Sequence, residues 1–359
     1  MALAFLTGFP GFIGRRLAVR LLEEDPELRV AALVEPRMGD AARAAAGAIG
    51  ADRIDVLEGD IAERRLGLGD ADWDRLASEV TSAFHLAAIY NLAVPLELAQ
   101  RVNVDGTGNV LELCAVCERL ERLNYVSTAY VAGVRRGVVY EHELALGQAF
   151  KNHYESTKFQ AEVWVRDAMG EVPTTVYRPA IVVGDSGTGE TQKFDGPYYM
   201  LRVISFCESR GMPIPQFGRA AAPFNVVPVD FVVDALVAGS RSADAAGETL
   251  HLVDPEPVTA SELLTTLARE YAEREPSYRL PSWLVEASLR LETVRDRFAG
   301  APRESISYLN HPVRFDTRRA SDLLAAQGLR CPRFDEYVGP MVRFFREHEE
   351  DPAFAPASA

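Results

Sequence analysis

The chain begins on a strand, a glycine-rich turn and a helix, and that order constrains the fold more than any other feature. Residues 2–7 (ALAFLT) are a short apolar run that ends in glycines, as a buried parallel strand does. Thr7, Gly8, Phe9, Pro10, Gly11, Phe12, Ile13 and Gly14 follow, and Ile13, Leu17, Leu21 and Leu22 then recur at helical spacing over 12–24. Gly8 permits a tight turn off the strand, Gly11 lets the backbone approach a pyrophosphate, and Gly14 lets the helix pack closely on the sheet. Pro10, with no N–H, fills a spacer position. The N–H groups at the helix start, with the helix dipole behind them, face an anion.

The same alternation continues. Strands are expected at 29–34, 54–57, 83–86, 124–127 and 174–183, and helices at 98–120 and 156–169. The pattern predicts an α/β fold, a Rossmann-type doubly wound parallel sheet with a smaller, mostly helical C-terminal substrate lobe. Glycine and proline become frequent from 184 to 228, then 226–240 returns to strand and helix. A last strand is expected at 249–253 and a helix from about Ser261, capped by Thr259 or Ser261. Residues 1–185 plus about 225–253 are therefore assigned to the dinucleotide-binding domain. About 186–224 and 254–350 are assigned to the substrate lobe, and 351–359 to a flexible tail.

A net charge of −14 argues against a nucleic-acid partner, which needs a basic face, and against docking on anionic lipid. No apolar stretch reaches the ~18 residues of a membrane span. Arg15 and Arg16 follow the first apolar run instead of preceding it, so that run reads as a strand and not a leader, and a cytoplasmic location is expected. Four cysteines in 359 residues are no disulfide framework. Cys114 and Cys117 read as two small apolar residues on one helix face, and no metal site is expected.

The chemistry is expected at His153-Tyr154-Glu155-Ser156-Thr157-Lys158. Spacing of i, i+4 puts Tyr154 and Lys158 on one helical face. A free phenol titrates near ~10, and a neighbouring ammonium favours the phenolate and lowers that value. Tyr154 can then exchange a proton with a carbonyl oxygen, while Lys158 holds the nicotinamide ribose. Ser127 and Thr128 close a strand where a hydroxyl can polarise the same carbonyl. At the end of the second strand, Glu35 favours a free ribose 2′-hydroxyl, and Arg37 favours a 2′-phosphate.

These motifs together resemble the extended short-chain dehydrogenase/reductase family. The resemblance rests on T-G-x-x-G-x-x-G at 7–14, Gly59-Asp60-Ile61, His85-Leu86-Ala87-Ala88, Asn103 in N-V-D-G-T, Ser127-Thr128-Ala129, Tyr154 with Lys158, and Tyr177-Arg178-Pro179-Ala180. It implies that Asp60 and Ile61 hold the adenine, that Ala87 and Ala88 line the dinucleotide, and that Pro179, Ala180 and Ile181 flank the nicotinamide. It also implies that Thr128 is the catalytic hydroxyl beside Ser127, and that Asn103 supports a proton-relay water.

The stretches TGFPGFIG, YVSTAYVAG, YRPAIVVGDSGTGET, GPYY and NVVPVDFVVDAL are similar to the male-sterility, fatty acyl-CoA reductase and thioester reductase branch. That branch implies NADP(H) and reduction of acyl thioesters carried on coenzyme A or an acyl carrier. Glu35 departs from the branch and keeps NAD(H) open. Tyr90, Tyr198, Tyr199, Met200, Phe206, Phe217 and Phe224 suggest a small hydrophobic substrate, and 280–298 an amphipathic lid or a packed helix. By family analogy the chain forms a homodimer. A nucleotide-sugar epimerase or dehydratase, and a dinucleotide-sensing protein without catalysis, share the same opening motifs.

Overall fold

The computed structural model describes residues 2–90, 94–217, 222–280 and 305–355. Seven parallel strands form the central sheet: β1 (Leu3–Thr7), β2 (Arg29–Val34), β3 (Ile54–Glu58), β4 (Val80–His85), β5 (Arg122–Val126), β6 (Thr174–Pro179) and β7 (Thr249–Leu252). Their spatial order is β7-β6-β5-β4-β1-β2-β3. The chain builds outward from β1 to β3, then returns to β4 on the other side. The switch point between β1 and β4 opens a crevice at the carboxyl ends of the strands, where such sheets bind ligands. There Thr7 pairs with His85, and His85 pairs with Tyr125.

Strand alternation gives the sheet two apolar faces. Leu6, Ala32 and Val34 point to one face, against α1 (Phe12–Glu24), α2 (Gly39–Gly50) and α7 (Val229–Arg241). Leu3, Phe5, Ala31 and Leu33 point to the other, against α3 (Asp70–Glu79), α4 (Gly106–Val116) and α5 (His153–Ala168). Further helices, α6 (Tyr198–Glu208), α8 (Ala260–Ala272), α9 (Arg318–Ala325) and α10 (Phe334–His348), extend the first face. Among the described residues no helix is long and apolar enough to cross a membrane.

Two expectations change, and a third falls largely outside the described residues. The strand foreseen over 174–183 is two. β6 ends at Pro179, and Ile181–Val183 pairs with Val226–Pro228 outside the main sheet. The chain steps across at Ala180, whose N–H goes to Leu252 while that of Ile181 goes to Asn225. The tail is anchored as far as Phe354, which packs on Phe194 with ring centroids 5.2 Å apart while its carbonyl accepts the Phe194 N–H. The lid at 280–298 lies, from 281 on, outside the described residues.

Candidate active site

The glycine turn is shaped by contact with itself. Gly8 has φ of +89°, which favours glycine, and a Cβ there would lie 3.0 Å from the Ala87 nitrogen. A Cβ on Gly11 or Gly14 would lie 2.8 or 2.5 Å from the Gly8 carbonyl oxygen. Gly14 is therefore required by the turn folding back on the helix, and not by helix-to-sheet packing as the motif suggested. Gly11 N-caps α1 with no side-chain hydrogen bond. The N–H groups of the first turn, including Phe12 and Ile13, thus have no side-chain cap, and the loop leaves room only for backbone. This cradle fits a dinucleotide pyrophosphate.

Thr7 is not part of that cradle, since its side chain is fully buried. Its hydroxyl accepts the N–H groups of Leu86 (3.2 Å) and Ala87 (3.1 Å) and donates to His85 Nδ1 (2.7 Å). His85 Nε2 meets the Thr107 hydroxyl at 3.0 Å, and Thr107 donates to the Asn103 carbonyl at 2.7 Å. Thr107 has one proton and gives it to Asn103, so His85 must carry its proton on Nε2. Burial, helped by the nearby Lys158 charge, lowers the His85 pKa to about 3. The histidine is a neutral strut between β1, β4 and the helix behind them.

Asn103 sits in a π-helical turn, Gln100–Asp105, and is buried. Its Oδ1 accepts the Ile89 N–H at 2.8 Å, and its Nδ2 donates to Thr157 Oγ1 at 3.1 Å. The relay-water role expected of it is replaced by a structural one, because the carboxamide is committed to tying the loop after β4 to α5.

Tyr154 and Thr128 come together. The Thr128 hydroxyl faces the phenol, N-caps the turn Ala129–Ala132 by accepting the Tyr130 N–H at 3.3 Å, and lies 3.5 Å from the Pro179 carbonyl. Lys158, one turn along α5, donates from Nζ to the Val126 carbonyl at 2.8 Å and lies 4.5 Å from the Tyr125 ring centroid. All three groups stand at the carboxyl edge of β5, beside the crevice. The expected tuning is corrected, however. The Tyr154 phenol is pushed above its ordinary value by burial, with the neighbouring Thr128 hydroxyl opposing the rise and Glu155 adding to it. Burial lowers Lys158 to about 7, against the pull of Glu162, so near neutrality ammonium and amine coexist.

Ser127 turns away from the site. It donates to Glu162 Oε2 at 2.6 Å, joining a buried pair in which Arg178 Nη2 meets Glu162 Oε1 at 2.6 Å. Burial opposes ionisation of Glu162, but Arg178, Arg166 and Ser127 outweigh it and hold the carboxyl low. This pair, missed in the sequence because Glu162 lies on a helix and Arg178 on the following strand with no local spacing to join them, braces α5 against β6 directly behind the site.

Just past β2, Glu35 and Arg37 form an exposed ion pair of 2.7 Å. Asp60 Oδ1 accepts the Ala62 N–H at 2.9 Å, and Asp60 Oδ2 lies 3.4 Å from Arg101. Ile61 is buried against Gly106. Ala87 and Ala88 follow β4, and Ala180 and Ile181 follow β6, all on the same edge of the sheet.

The proposed substrate aromatics divide. Tyr198, Met200, Phe217 and Phe224 are sealed in the core, so they line no open pocket. Tyr90 is exposed and meets the Tyr154 ring edge-on at 5.1 Å. Cys114 and Cys117 are free thiols on one side of α4, and burial pushes both upward, Cys117 to about 11.

Residues 6–236, more than half of the chain, match the male sterility protein family of NAD-binding domains. The chain belongs to that family. With its sheet order and motifs, this places it among the extended short-chain dehydrogenases/reductases. A non-canonical nonribosomal peptide synthetase, FrzA, of a Cladobotryum species is 30% identical over 287 residues, covering 74% of this chain and 27% of the synthetase. A carboxylic acid reductase of Segniliparus rugosus is 29% identical over 266 residues, covering 64% of this chain and 22% of the reductase. The terminal R domain of the myxalamid PKS-NRPS biosynthetic pathway superimposes with a TM-score of 0.81 at 26% identity, covering 98% of this chain and 92% of that domain. The chain thus spans about a quarter of the length of these two curated relatives, while it matches the excised R domain almost end to end.

Proposed function

We propose that this protein is a nicotinamide-dependent reductase that delivers hydride to an acyl thioester or a related carbonyl, with Tyr154 as the proton donor. The observation that carries the proposal is the gathering of the Tyr154 phenol, the Thr128 hydroxyl and the Lys158 side chain at the sheet edge next to an uncapped glycine turn. A substrate carbonyl seated against both hydroxyls would receive two donors, which polarise it and stabilise the oxyanion. Tyr154 then passes its proton to that oxygen. The raised proton affinity of the buried phenol keeps it protonated at neutral pH, as a donor requires. As an ammonium, Lys158 uses one donor on Val126 and has two more for the nicotinamide ribose. When bound, the reduced nicotinamide supplies the hydride.

Gly8, Pro10, Gly11, Phe12, Ile13 and Gly14 would hold the pyrophosphate. Asp60 and Ile61 would hold the adenine, with Ala87, Ala88, Pro179, Ala180 and Ile181 along the rest of the dinucleotide. For the ribose phosphate we propose NADP(H), with Arg37 as its partner once released from Glu35. The segments 186–224 and 254–350 would form the substrate side, and the resemblance to a terminal reductase domain favours an acyl group delivered on a carrier thiol.

The test is turnover with NADPH and a panel of acyl-coenzyme A and acyl-pantetheine thioesters. One aldehyde and one free thiol per NADPH oxidised is the expected result. Dinucleotide binding without oxidation of NADPH by any acyl thioester or aldehyde would remove the proposal.

A further inference from the structure

A buried charge beside the catalytic phenol has no part in the scheme above. Glu155, next in the chain to Tyr154, is fully buried. Its Oε1 accepts from Lys151 Nζ at 2.8 Å and from the Tyr308 hydroxyl at 2.7 Å, and its Oε2 accepts the Lys151 backbone N–H at 2.9 Å. Lys151 Nζ donates again, to the Gly133 carbonyl at 2.8 Å, and Tyr308 accepts from Asn152 Nδ2 at 2.9 Å.

These contacts join three separate pieces of chain. Gly133 ends the turn that Thr128 caps. Glu155 opens the helix that carries Tyr154. Tyr308 belongs to the C-terminal segment and packs edge-on against Tyr130 of the same turn at 4.9 Å. The catalytic hydroxyl and phenol sit on different segments, so their separation is set by whatever clamps those segments together.

We propose that Lys151, Glu155 and Tyr308 form a positioning clasp that holds Tyr154 against Thr128 and makes that alignment depend on the docked C-terminal segment. The inference rests on the role given to Tyr154 above. Desolvated charges of this kind are kept only when well paired, and here each donor of the cluster points at a partner that defines the site. The clasp also has an electrostatic consequence. The Glu155 charge raises the proton affinity of Tyr154 and so keeps the donor protonated. The other groups facing Tyr154 are Thr128, Tyr90 and Tyr125, and those facing the carboxylate are Lys151, Tyr308 and Tyr130, while Asn152 Oδ1 accepts the Glu155 backbone N–H. Tyr130 and His311 flank Lys151.

The experiment compares Glu155→Gln and Tyr308→Phe with the parent enzyme in steady-state reduction across pH, with NADPH affinity measured separately. In Glu155→Gln, kcat should fall about 10- to 100-fold, as misalignment by a fraction of an ångström does. The alkaline limb of its kcat profile should move to lower pH, because a negative neighbour of the phenol is gone. Tyr308→Phe keeps the carboxylate, so kcat should fall with the limb in place. NADPH affinity should stay within about twofold in both. A folded Glu155→Gln enzyme with the parent kcat and pH limb overturns the clasp. If that variant does not fold, an unchanged kcat in Tyr308→Phe overturns it instead. A Tyr154→Phe enzyme that still turns over would instead overturn the underlying mechanism, so the two failures are distinguishable.

Discussion

Replacing Gly14 by alanine tests the glycine turn where the structure departs from the motif's usual rationale. The added Cβ would lie 2.5 Å from the Gly8 carbonyl oxygen, 2.9 Å from its carbon and 3.2 Å from the Phe9 nitrogen. All three are backbone atoms that cannot rotate away. Ordinary carbon–oxygen contact begins near about 3.3 Å, so the turn and the helix start must separate by roughly 0.8 Å. One N–H group of the turn then misses the pyrophosphate. Each such charge-assisted bond contributes about 1.5–3 kcal/mol, so NADPH affinity should weaken about 10- to 100-fold. Strain of about 1–3 kcal/mol should also lower the melting temperature by a few degrees. Gly47→Ala is the control. Nothing lies within 4 Å of that Cβ on α2, so binding should be unchanged and the helix more stable by about 0.5–1 kcal/mol. Titration by dinucleotide fluorescence reads the affinity. A Gly14→Ala protein that binds NADPH within twofold of the parent would refute the account of the turn.

The Glu35–Arg37 pair gives a second prediction. Glu35→Gln removes the repulsion of a 2′-phosphate and frees Arg37, so the ratio of NADPH to NADH affinity should rise about tenfold, and a fall in that ratio rejects this placement of the ribose. A third concerns acid. His85 and His251 are lowered to about 3 and His311 to about 4, each mainly by burial. The unfolded chain therefore binds three more protons than the folded one between about pH 6.5 and pH 4, and stability is lost as pH falls through that window. The slope is about 4 kcal/mol per pH unit near pH 5, read by denaturant unfolding, and a flat profile would mean that these imidazoles are not neutral in the fold.

Much of the framework was legible because it depends on local pattern. Apolar runs at 2–7 and 29–34 became β1 and β2 with little change of boundary, and Tyr154 and Lys158 share one face of α5 as their spacing required. What escaped depends on which way a side chain turns once the chain is folded. Ser127 and Thr128 are adjacent, yet strand geometry sends the first to Glu162 and leaves the second to Tyr154. Asn103 and Thr7 carry family-like identities, but their polar atoms are taken, those of Asn103 by the Ile89 N–H and the Thr157 hydroxyl and that of Thr7 by the His85 ring and two backbone N–H groups. The expected lowering of the Tyr154 pKa by Lys158 failed for a solvation reason. A phenol this buried resists ionisation, and the lysine beside it is itself desolvated and turned to the Val126 carbonyl. Glu155 and Tyr308 are 153 positions apart, and no local signal joins them.

The most direct measurement is single-turnover NADPH oxidation by Tyr154→Phe with a saturating acyl thioester, beside its NADPH dissociation constant. The variant keeps the ring against Tyr90 and loses only the transferable proton. The account predicts NADPH affinity within about twofold of the parent and a hydride-transfer rate lower by at least about 100-fold. A rate within tenfold of the parent would contradict it.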